Sequence, residues 1–416
     1  MSILHRRFPS PLAHSMRNLR PISVITATPP GFNPGMLASQ IAARWFLDRH
    51  GFGSVATFYR LIPIQDRLDH LERDAQTASL HRIDDGIDYR VLLNPAQLAE
   101  STPLYWGDLL HMRQYLDSIR GLLRNGGATP ESLLLLQDSP LDLVSRIVSF
   151  GTTFLYHSAS DLTADAYGPS FRRFIENAKL VMPRDMLSLA QLKSLMPRAS
   201  VHQGLDVTQL FVGGSSWRMA FPQGTDRSLA CADSLLCYFA RGNHDIADLK
   251  QAVGFFTRGF GLPVRWLPWG DRLSFPHLDL YAGRLNLADQ SPPAPSLSAL
   301  LEALAAAKCV LTDTYHVAVI AWSLGTPALM ICGDHWPGDY NAVVDKRYIF
   351  FLQHGLQDFF LGNARDHRRL AAFIERGVRL VADGTPLRYY LTTVGQRVEE
   401  AERRLVVALK EGGDCA

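Results

Sequence analysis

Short apolar runs alternate with stretches of helical spacing along most of the chain. Residues 22–25 predict a buried strand, and after a turn rich in Pro and Gly the residues 36–50 predict an amphipathic helix. The alternation continues with apolar runs at 54–59, 104–105, 133–136, 179–182, 235–239 and 264–267 and predicted helices at 110–123, 171–178, 247–258 and 297–307. Helices between short apolar strands imply parallel sheets joined by crossovers. The predicted fold class is therefore α/β, with doubly wound Rossmann-like sheets.

The clearest unit lies in the last third of the chain. A predicted strand at 309–312 leads through the junction 313–315 into a predicted helix at 316–324, and a second strand follows at 328–332. Gly325 stands directly after the last helical turn, which is a common stop signal. The spacing predicts a βαβ unit of minimal length, with the junction at the carboxyl end of its first strand.

The length of 416 residues exceeds what one ordinary hydrophobic core accommodates. We predict an N-terminal extension at 1–20, an N-terminal α/β domain at 21–185, a C-terminal α/β domain at 186–385 and a helix at 386–416 that can cross back over the first domain. Two doubly wound domains that face each other bring the carboxyl ends of both sheets to one central cleft. The N-termini of the following helices also point there, so an anionic ligand is expected.

Composition restricts the classes of partner. Hydrophobic residues make up 47% of the chain and charged residues 20%, which is typical of a globular protein. The formal net charge is +2, so we predict no nucleic-acid partner and at most a peripheral contact with a membrane. The sequence lacks an apolar run of signal-peptide or membrane-spanning length, and we therefore expect a cytoplasmic protein.

The cysteines suggest neither a disulfide framework nor a zinc site. They are scattered and include no Cys-x-x-Cys pair: Cys231, Cys237, Cys309, Cys332 and Cys415. Acidic residues do not recur at the spacing of a calcium loop. We predict no dedicated metal site. The sequence does not determine the oligomeric state, and a homo-oligomer is compatible with it.

The junction at Asp313 is the first candidate for chemistry. A residue between a strand end and a helix start faces backbone N–H groups and the positive end of the helix dipole, which favour a phosphate or a carboxylate. His316, at the start of that helix, can give or take a proton near neutral pH. The alternative is that Asp313 only caps the helix and that His316 is a structural residue.

Cations that follow other predicted strands are the second group of candidates. Arg184 comes directly after the strand at 179–182, and its guanidinium can bind an oxyanion through two hydrogen bonds. Arg241 follows another apolar run, and Lys346 with Arg347 precedes an apolar helix. The alternative for Arg184 is a surface ion pair beside a capping aspartate. For Arg241 the alternative is an ordinary polar loop, and for Lys346 with Arg347 it is a solvated charge run.

Two further places in the first half could approach a ligand. The loop with Asn33 and Gly35 allows close approach of the backbone, although it matches neither the dinucleotide fingerprint nor the P-loop. Trp106 and Asp108, at a predicted strand end, could offer an aromatic platform and a carboxylate to a sugar ring. A core tryptophan is an equally good interpretation of Trp106.

Taken together, these motifs resemble the polysaccharide pyruvyltransferase family, whose members have a fold like the two-domain GT-B glycosyltransferases. The specific match is residues 310–316, VLTDTYH, followed by 321–327, AWSLGTP, which is similar to the family signature of Asp, a variable pair, His and then Leu-Gly-x-Pro. Weaker matches are VMPRD at 181–185 with Ser188, LDV at 205–207, and Lys346 with the helix after it. Many members have Arg-Leu where this chain has Thr314 and Tyr315, so a cation expected beside the donor is absent there.

The resemblance implies transfer of an enolpyruvyl group from phosphoenolpyruvate to two sugar hydroxyls, in exopolysaccharide or cell-surface glycan synthesis. It implies phosphoenolpyruvate as co-substrate without another cofactor, and a sugar or lipid-linked glycan as acceptor. The implied catalytic residues are His316, Asp313 and Arg184. The donor-binding residues are Arg184, Thr314, Lys346, Arg347 and Arg241, and the acceptor-binding residues are Asn33, Gly35, Trp106 and Asp108. Two alternatives remain: a GT-B-like glycosyltransferase that uses a nucleotide-sugar, and a non-catalytic binding protein of the same fold.

Overall fold

The computed structural model describes most of the chain. The described residues are 19–27, 33–60, 87–107, 110–120, 129–154, 163, 167–221, 224–230, 233–240, 244–270, 278–287, 296–332, 346–362 and 364–410. Two separate sheets lie in this part of the chain, one before residue 183 and one after residue 234.

The first sheet has six strands, all paired in parallel. In chain order they are β1 (Ile22–Thr26), β2 (Ala56–Arg60), β3 (Tyr89–Val91), β4 (Thr102–Trp106), β5 (Val148–Phe150) and β6 (Leu180–Met182). Their order in the sheet is β3-β2-β1-β4-β5-β6. The chain therefore reverses its direction of travel between β1 and β4. In open parallel sheets, ligands bind at the carboxyl ends of the strands beside such a switch point.

The second sheet has five parallel strands. They are β7 (Leu235–Tyr238), β8 (Val264–Trp266), β9 (Cys309–Thr312), β10 (Ala328–Ile331) and β11 (Phe360–Leu361). The order β11-β10-β9-β7-β8 places its switch point between β7 and β9. Asp313 follows β9 directly and therefore lies at this point.

Helices cover the sheets and supply the crossovers. In chain order they are α1 (Pro34–Arg49), α2 (Arg113–Arg120), α3 (Pro130–Leu134), α4 (Leu141–Val144), α5 (Tyr167–Asn177), α6 (Met186–Leu195), α7 (Ile246–Phe260), α8 (Leu278–Arg284), α9 (Leu297–Ala306), α10 (Tyr315–Ser323), α11 (Lys346–Gln353), α12 (His367–Asp383) and α13 (Thr385–Lys410). Short 3-10 helices occur at Gly53–Val55, Pro95–Leu98, Val207–Phe211, Ser216–Ala220 and Gln357–Phe359. None of the helices among the described residues is both long and apolar enough to cross a membrane.

The predicted α/β class with two doubly wound sheets is confirmed. The sequence pattern misses β3, β5 and β11, which have only two or three residues each and so show no periodicity. The apolar run at 133–136 is not a strand, because Leu133 and Leu134 end the short helix α3. Thr129 and Ser132 form a capping box at the start of that helix, and Pro130 occupies its first turn.

The C-terminal helix α13 contacts both halves of the protein. Its Tyr390 is fully buried and its hydroxyl accepts a hydrogen bond from Gln209 Nε2 at 3.0 Å, in the segment that follows the first sheet. The same hydroxyl lies 3.4 Å from Ser323 Oγ at the end of α10. Farther along, Glu402 pairs with Arg49 at the end of α1. The helix thus connects the elements that follow both switch points, whereas the predicted division of the chain at 185 and 186 stays a prediction.

Candidate functional site

The junction between β9 and α10 is built around a buried carboxylate. Asp313 is fully buried, and Ala240 N donates to its Oδ1 at 3.0 Å and to its Oδ2 at 3.2 Å. Thr314 Oγ1 donates to Oδ1 at 2.8 Å. Because Ala240 follows β7 and Asp313 follows β9, this carboxylate holds together the two strands of the switch point. The Asp313 side chain therefore orders the junction itself.

The start of α10 is not capped by the side chain of its N-cap residue. Thr314 occupies that position but makes no capping hydrogen bond. Its hydroxyl is directed to Asp313 instead, and its own N–H donates to Thr312 Oγ1 at 3.1 Å. The first N–H groups of an α-helix have no partner within the helix and concentrate a partial positive charge of about half a unit there. The start of α10 therefore favours an anion.

His316, at the start of α10, contacts the start of α1, the helix that follows the first strand of the other sheet. A methyl group placed on Gly35 would lie 2.5 Å from His316 Cγ and 2.8 Å from its Cδ2. Asn33 caps α1 through a hydrogen bond from Met36 N to its Oδ1 at 3.4 Å. The helix starts beside the two switch points therefore face each other, with the imidazole of His316 between them.

Two cations lie beside the ring of Tyr315, the first residue of α10. Arg184 Cζ lies 5.0 Å from the centroid of the Tyr315 ring and Lys346 Nζ lies 5.1 Å from it. Arg184 comes from the end of β6 in the first sheet, whereas Lys346 begins α11 beside the second. Both distances are typical of cation–π contacts. The structure thus brings together two of the predicted donor-binding cations at the predicted helix start.

Arg184 is anchored by the segment that leads out of the first sheet. It is 3% exposed, and its Nη1 lies 3.7 Å from Asp206 Oδ2. Asp206 also accepts hydrogen bonds from Thr208 N at 3.0 Å and Thr208 Oγ1 at 2.7 Å. The planar guanidinium of an arginine suits an oxyanion, because its paired donors match two oxygen atoms.

Tyr315 is held in its protonated form. Burial raises the pKa of its phenol well above the ordinary value of 10.0, and the charge of Asp206 raises it further against the opposing effect of Arg184. The phenol also forms a hydrogen bond with Asp206. A protonated phenol donates to the carboxylate and leaves the face of its ring to the two cations. The Tyr315 ring therefore contacts both Arg184 and Lys346 while its phenol stays neutral.

Arg347 is also in the cluster but faces the backbone. It is 8% exposed, and its Nη1 donates to the backbone oxygen of Asp313 at 3.3 Å. Asp185, the neighbour of Arg184, caps α6: its Oδ1 accepts from Ser188 N at 2.7 Å and its Oδ2 from Ser188 Oγ at 2.7 Å. The Arg-Asp-x-x-Ser segment therefore has two roles: Arg184 lies beside the Tyr315 ring, and Asp185 caps α6.

Trp106 is a core residue. It is 1% exposed, its indole N–H donates to Ser39 O at 2.9 Å, and its ring lies 5.0 Å from that of Phe150. The predicted aromatic platform for a sugar is therefore corrected, because no ring face of Trp106 is open to the cleft. The two other predicted contacts, Asp108 and Arg241, lie outside the described residues.

Sequence reasoning did not assign roles to three residues of this cluster. Tyr315 and Asp206 belong to the recognised motifs, but their contacts join segments that are distant in the chain. His244 brings its Nε2 to 3.2 Å from Asp313 Oδ2, and its position after an apolar strand was the available signal. Among the described residues, no group of three or more His, Cys, Asp or Glu side chains is arranged to hold a metal ion.

Solved structures have a fold similar to that of this chain. The S. aureus MnaA structure with UDP aligns with a TM-score of 0.50 at 12% identity, over 93% of this chain and 95% of that one. The UDP-GlcNAc 2-epimerase of Neisseria meningitidis, bound to UDP-GlcNAc, gives a TM-score of 0.46 at 12% identity, over 94% and 100%. A UDP-glucosyltransferase of Polygonum tinctorium gives 0.44 at 14% identity, over 94% and 98%. No curated protein matches the sequence.

The fold and the facing switch points define an α/β protein of the GT-B-like class. The family follows from the sequence, because the model of the family described as polysaccharide pyruvyl transferase matches residues 117–334. That match covers just over half of the 416 residues, and the chain belongs to this family of transferases. The matched segment includes Arg184 and the junction from Asp313 to His316, whereas Gly35 and Lys346 lie outside it.

The contact at Gly35 gives a prediction. Gly35→Ala should force His316 to move or the two helix starts to separate, because atoms that close cannot be accommodated without a shift. We expect a loss of about 1–3 kcal/mol in the free energy of unfolding, typical of an overpacked contact. Chemical denaturation measures this.

Gly254→Ala is the matched control. Gly254 lies inside α7, and an added methyl group would meet only Arg258 Nη1, at 3.4 Å. Alanine in a helix interior is favoured over glycine by about 1 kcal/mol, so this variant should be at least as stable as the unmodified protein. Equal free energies of unfolding for Gly35→Ala and Gly254→Ala would show that His316 moves aside without a loss of stability.

Proposed function

We propose that this protein transfers the enolpyruvyl group of phosphoenolpyruvate to two hydroxyls of a sugar or lipid-linked glycan and forms a pyruvate ketal. The observation that carries the proposal is that Arg184 and Lys346 both lie beside the ring of Tyr315 at the start of α10. Membership of the pyruvyl transferase family supports the same reaction class. The product is a ketal on an exopolysaccharide or cell-surface glycan.

The charges of the site suit this donor. Phosphoenolpyruvate carries a phosphate and a carboxylate, and the helix start offers only about half a unit of positive charge. Arg184 can bind one of these groups through two hydrogen bonds, and Lys346 supplies a second, compact charge. Thr314 stands where many members of the family have arginine, and its hydroxyl is directed to Asp313. Lys346 therefore provides the cation that this position lacks.

The reaction balances with the groups present in the donor and acceptor. One sugar hydroxyl adds to the central carbon of the enolpyruvyl group while a proton adds to the methylene carbon, which becomes a methyl group. The second hydroxyl then displaces phosphate from the same carbon. Of the two hydroxyl protons, one ends in the methyl group and the other leaves with phosphate. His316 lies between the two helix starts, where it can act as the acid or the base in these transfers.

A ligand comparison tests the donor. Phosphoenolpyruvate at 100 times its dissociation constant should stabilise the protein by about 2.7 kcal/mol, seen as a rise in melting temperature, since it binds only the folded state. UDP-GlcNAc is the reference ligand, because a structure of similar fold contains UDP. Stabilisation by UDP-GlcNAc but not by phosphoenolpyruvate would favour a nucleotide-sugar donor. An unchanged melting temperature with both would contradict the proposed donor.

A further inference from the structure

A buried histidine at the end of α11 meets two glutamine side chains that are distant from each other in the chain. His354 is 4% exposed and directly follows the helix. Its Nε2 lies 3.1 Å from Gln209 Nε2 and 3.1 Å from Gln353 Nε2. Gln209 is fully buried in the short 3-10 helix that follows the first sheet. The proposed chemistry gives neither His354 nor the two glutamines a role.

Backbone N–H groups set the orientation of both glutamine amides. Asp206 N donates to Gln209 Oε1 at 3.0 Å, and Met186 N donates to Gln353 Oε1 at 3.3 Å. Because each amide oxygen accepts from the backbone, each amide nitrogen is the atom that faces the imidazole of His354. An amide nitrogen can only donate, so His354 must accept at Nε2.

His354 has the protonation state that this arrangement needs. Burial lowers the pKa of its imidazole to about 3, and the charge of Arg397 acts in the same direction, so the ring is neutral near pH 7. A neutral ring with its hydrogen on Nδ1 presents Nε2 as an acceptor to both amides. Gln209 Nε2 also donates to Tyr390 Oη at 3.0 Å, which attaches α13 to the same network.

The network begins beside one of the two donor-binding cations and ends on the helix of the other. Asp206 Oδ2 lies 3.7 Å from Arg184 Nη1, and Met186 begins α6 two residues after Arg184. Lys346 is the first residue of α11, and Gln353 is the last. The hydrogen bonds through His354 therefore connect the surroundings of Arg184 with the helix of Lys346.

The two ends of α11 are attached to different sheets. At its start, Arg347 Nη1 donates to the backbone oxygen of Asp313, after β9, at 3.3 Å. At its end, the His354 network reaches segments that follow β6. The first attachment places the helix relative to the second sheet, and the network places it relative to Arg184. The helix is 8 residues long, so a shift at its end changes the position of Lys346.

We propose that His354 is a positioning residue that holds Lys346 at the distance from Arg184 that the two anionic groups of the donor require. The site then selects ligands with two anionic groups at a fixed separation, whereas a single anion does not sense the spacing of the cations. This inference rests on the proposed function, since it concerns the same donor site.

A double-mutant cycle tests the role of His354. Dissociation constants for phosphoenolpyruvate are measured by calorimetry for the unmodified protein, His354→Leu, Lys346→Ala and the double variant. His354→Leu keeps a large side chain without the acceptor and should weaken binding by about tenfold, because a displaced binding group loses much of its effect. In the Lys346→Ala background the same substitution should change the dissociation constant by less than about twofold. A purely structural role predicts equal losses in both backgrounds.

A conservative variant and a second ligand sharpen the test. The Oε1 atom of His354→Gln can accept near the position of Nε2, so this variant should bind phosphoenolpyruvate within about threefold of the unmodified protein. Inorganic phosphate, which has one anionic group, should bind His354→Leu and the unmodified protein within about twofold of each other. If His354→Leu folds poorly, Gln353→Met removes the partner on α11 at similar volume and replaces it in the cycle.

His50→Leu is the matched control. It removes another neutral histidine, at the end of α1, whose pKa burial lowers to about 4 and whose Nε2 lies 3.6 Å from Glu402 Oε2. This contact joins α1 to α13 and does not involve α11. The control should leave the affinity for phosphoenolpyruvate unchanged.

Two outcomes overturn the inference. One is an unchanged affinity for phosphoenolpyruvate in His354→Leu, and the other is a loss of the same size with and without Lys346. Failure of the proposed function looks different, because the unmodified protein would then not bind phosphoenolpyruvate. The cycle is in that case measured with inorganic pyrophosphate, which also has two anionic groups, and the same dependence on Lys346 is required. Absence of binding by both ligands overturns the inference as well.

Discussion

Arg184→Ala should reduce the affinity for phosphoenolpyruvate by at least about 100-fold, measured by calorimetry. The guanidinium is 3% exposed and is held between Asp206 and the Tyr315 ring, so it does not need to be ordered again when the donor binds. Lys346 remains in the variant but offers a point charge instead of a planar pair of donors. Loss of a buried, charge-assisted contact therefore dominates the effect.

Two variants control this experiment. Arg184→Lys keeps the charge but not the fork and should lose affinity to an intermediate extent. Arg173→Ala removes a partly buried arginine in the first domain that donates to Leu136 O at 2.8 Å, and it should leave affinity unchanged. Arg184→Ala also breaks the ion pair with Asp206, so a fall of about 3 kcal/mol in the free energy of unfolding is expected.

Unaltered binding by Arg184→Ala would remove the main physical support for a phosphoenolpyruvate donor. A nucleotide-sugar donor or a non-catalytic binding role would then be the better account. The calorimetry is done well below the melting temperature of each variant, so that a loss of affinity is measured on folded protein.

The placement of residues at strand ends could be predicted from the sequence. Arg184 follows β6 and Asp313 follows β9, and the carboxyl ends of parallel strands lie at one edge of their sheet. The apolar runs, and the turn residues that end them, predict the strands. The sheet edge at the carboxyl ends of these strands, and the candidate residues there, can therefore be predicted without tertiary information. The capping role of Asp185 follows from the same local logic, because a cap acts within one helical turn.

Contacts between helices that are distant in the chain could not be predicted in this way. The approach of Gly35 to His316, and of Lys346 to the ring of Tyr315, depends on how α1 and α11 sit relative to α10. Local periodicity contains no information about that geometry. Trp106 shows a related limit: strands of a covered parallel sheet are buried on both faces, so a strand-end tryptophan gives no pattern that separates core from cleft.

In the proposed reaction one histidine serves both substrates, and the facing switch points make this arrangement possible. A helix begins beside the switch point of each sheet, α1 in the first sheet and α10 in the second. Because position 35 is a glycine, the start of α1 comes into van der Waals contact with His316 of α10. In the proposed reaction, Arg184 and Lys346 bind the charges of the donor, and Asn33 and Gly35 at the start of α1 are the predicted acceptor contacts. His316 contacts this helix start and follows Tyr315 in α10, so the proposal assigns the proton transfers of both substrates to it.

His316→Asn should therefore lower kcat by about 10²–10⁴-fold while leaving the dissociation constant of phosphoenolpyruvate within about threefold of the unmodified protein. An acid–base group acts chiefly in the transition state, whereas the donor charges are bound by other residues. Asparagine is small enough to avoid Gly35, so the helix starts keep their approach. Phosphate release from phosphoenolpyruvate, with methyl hexosides as acceptor probes, measures the rate, and calorimetry measures binding. Equal losses in kcat and in donor affinity would instead assign His316 to donor binding, and the proton transfers would need another group.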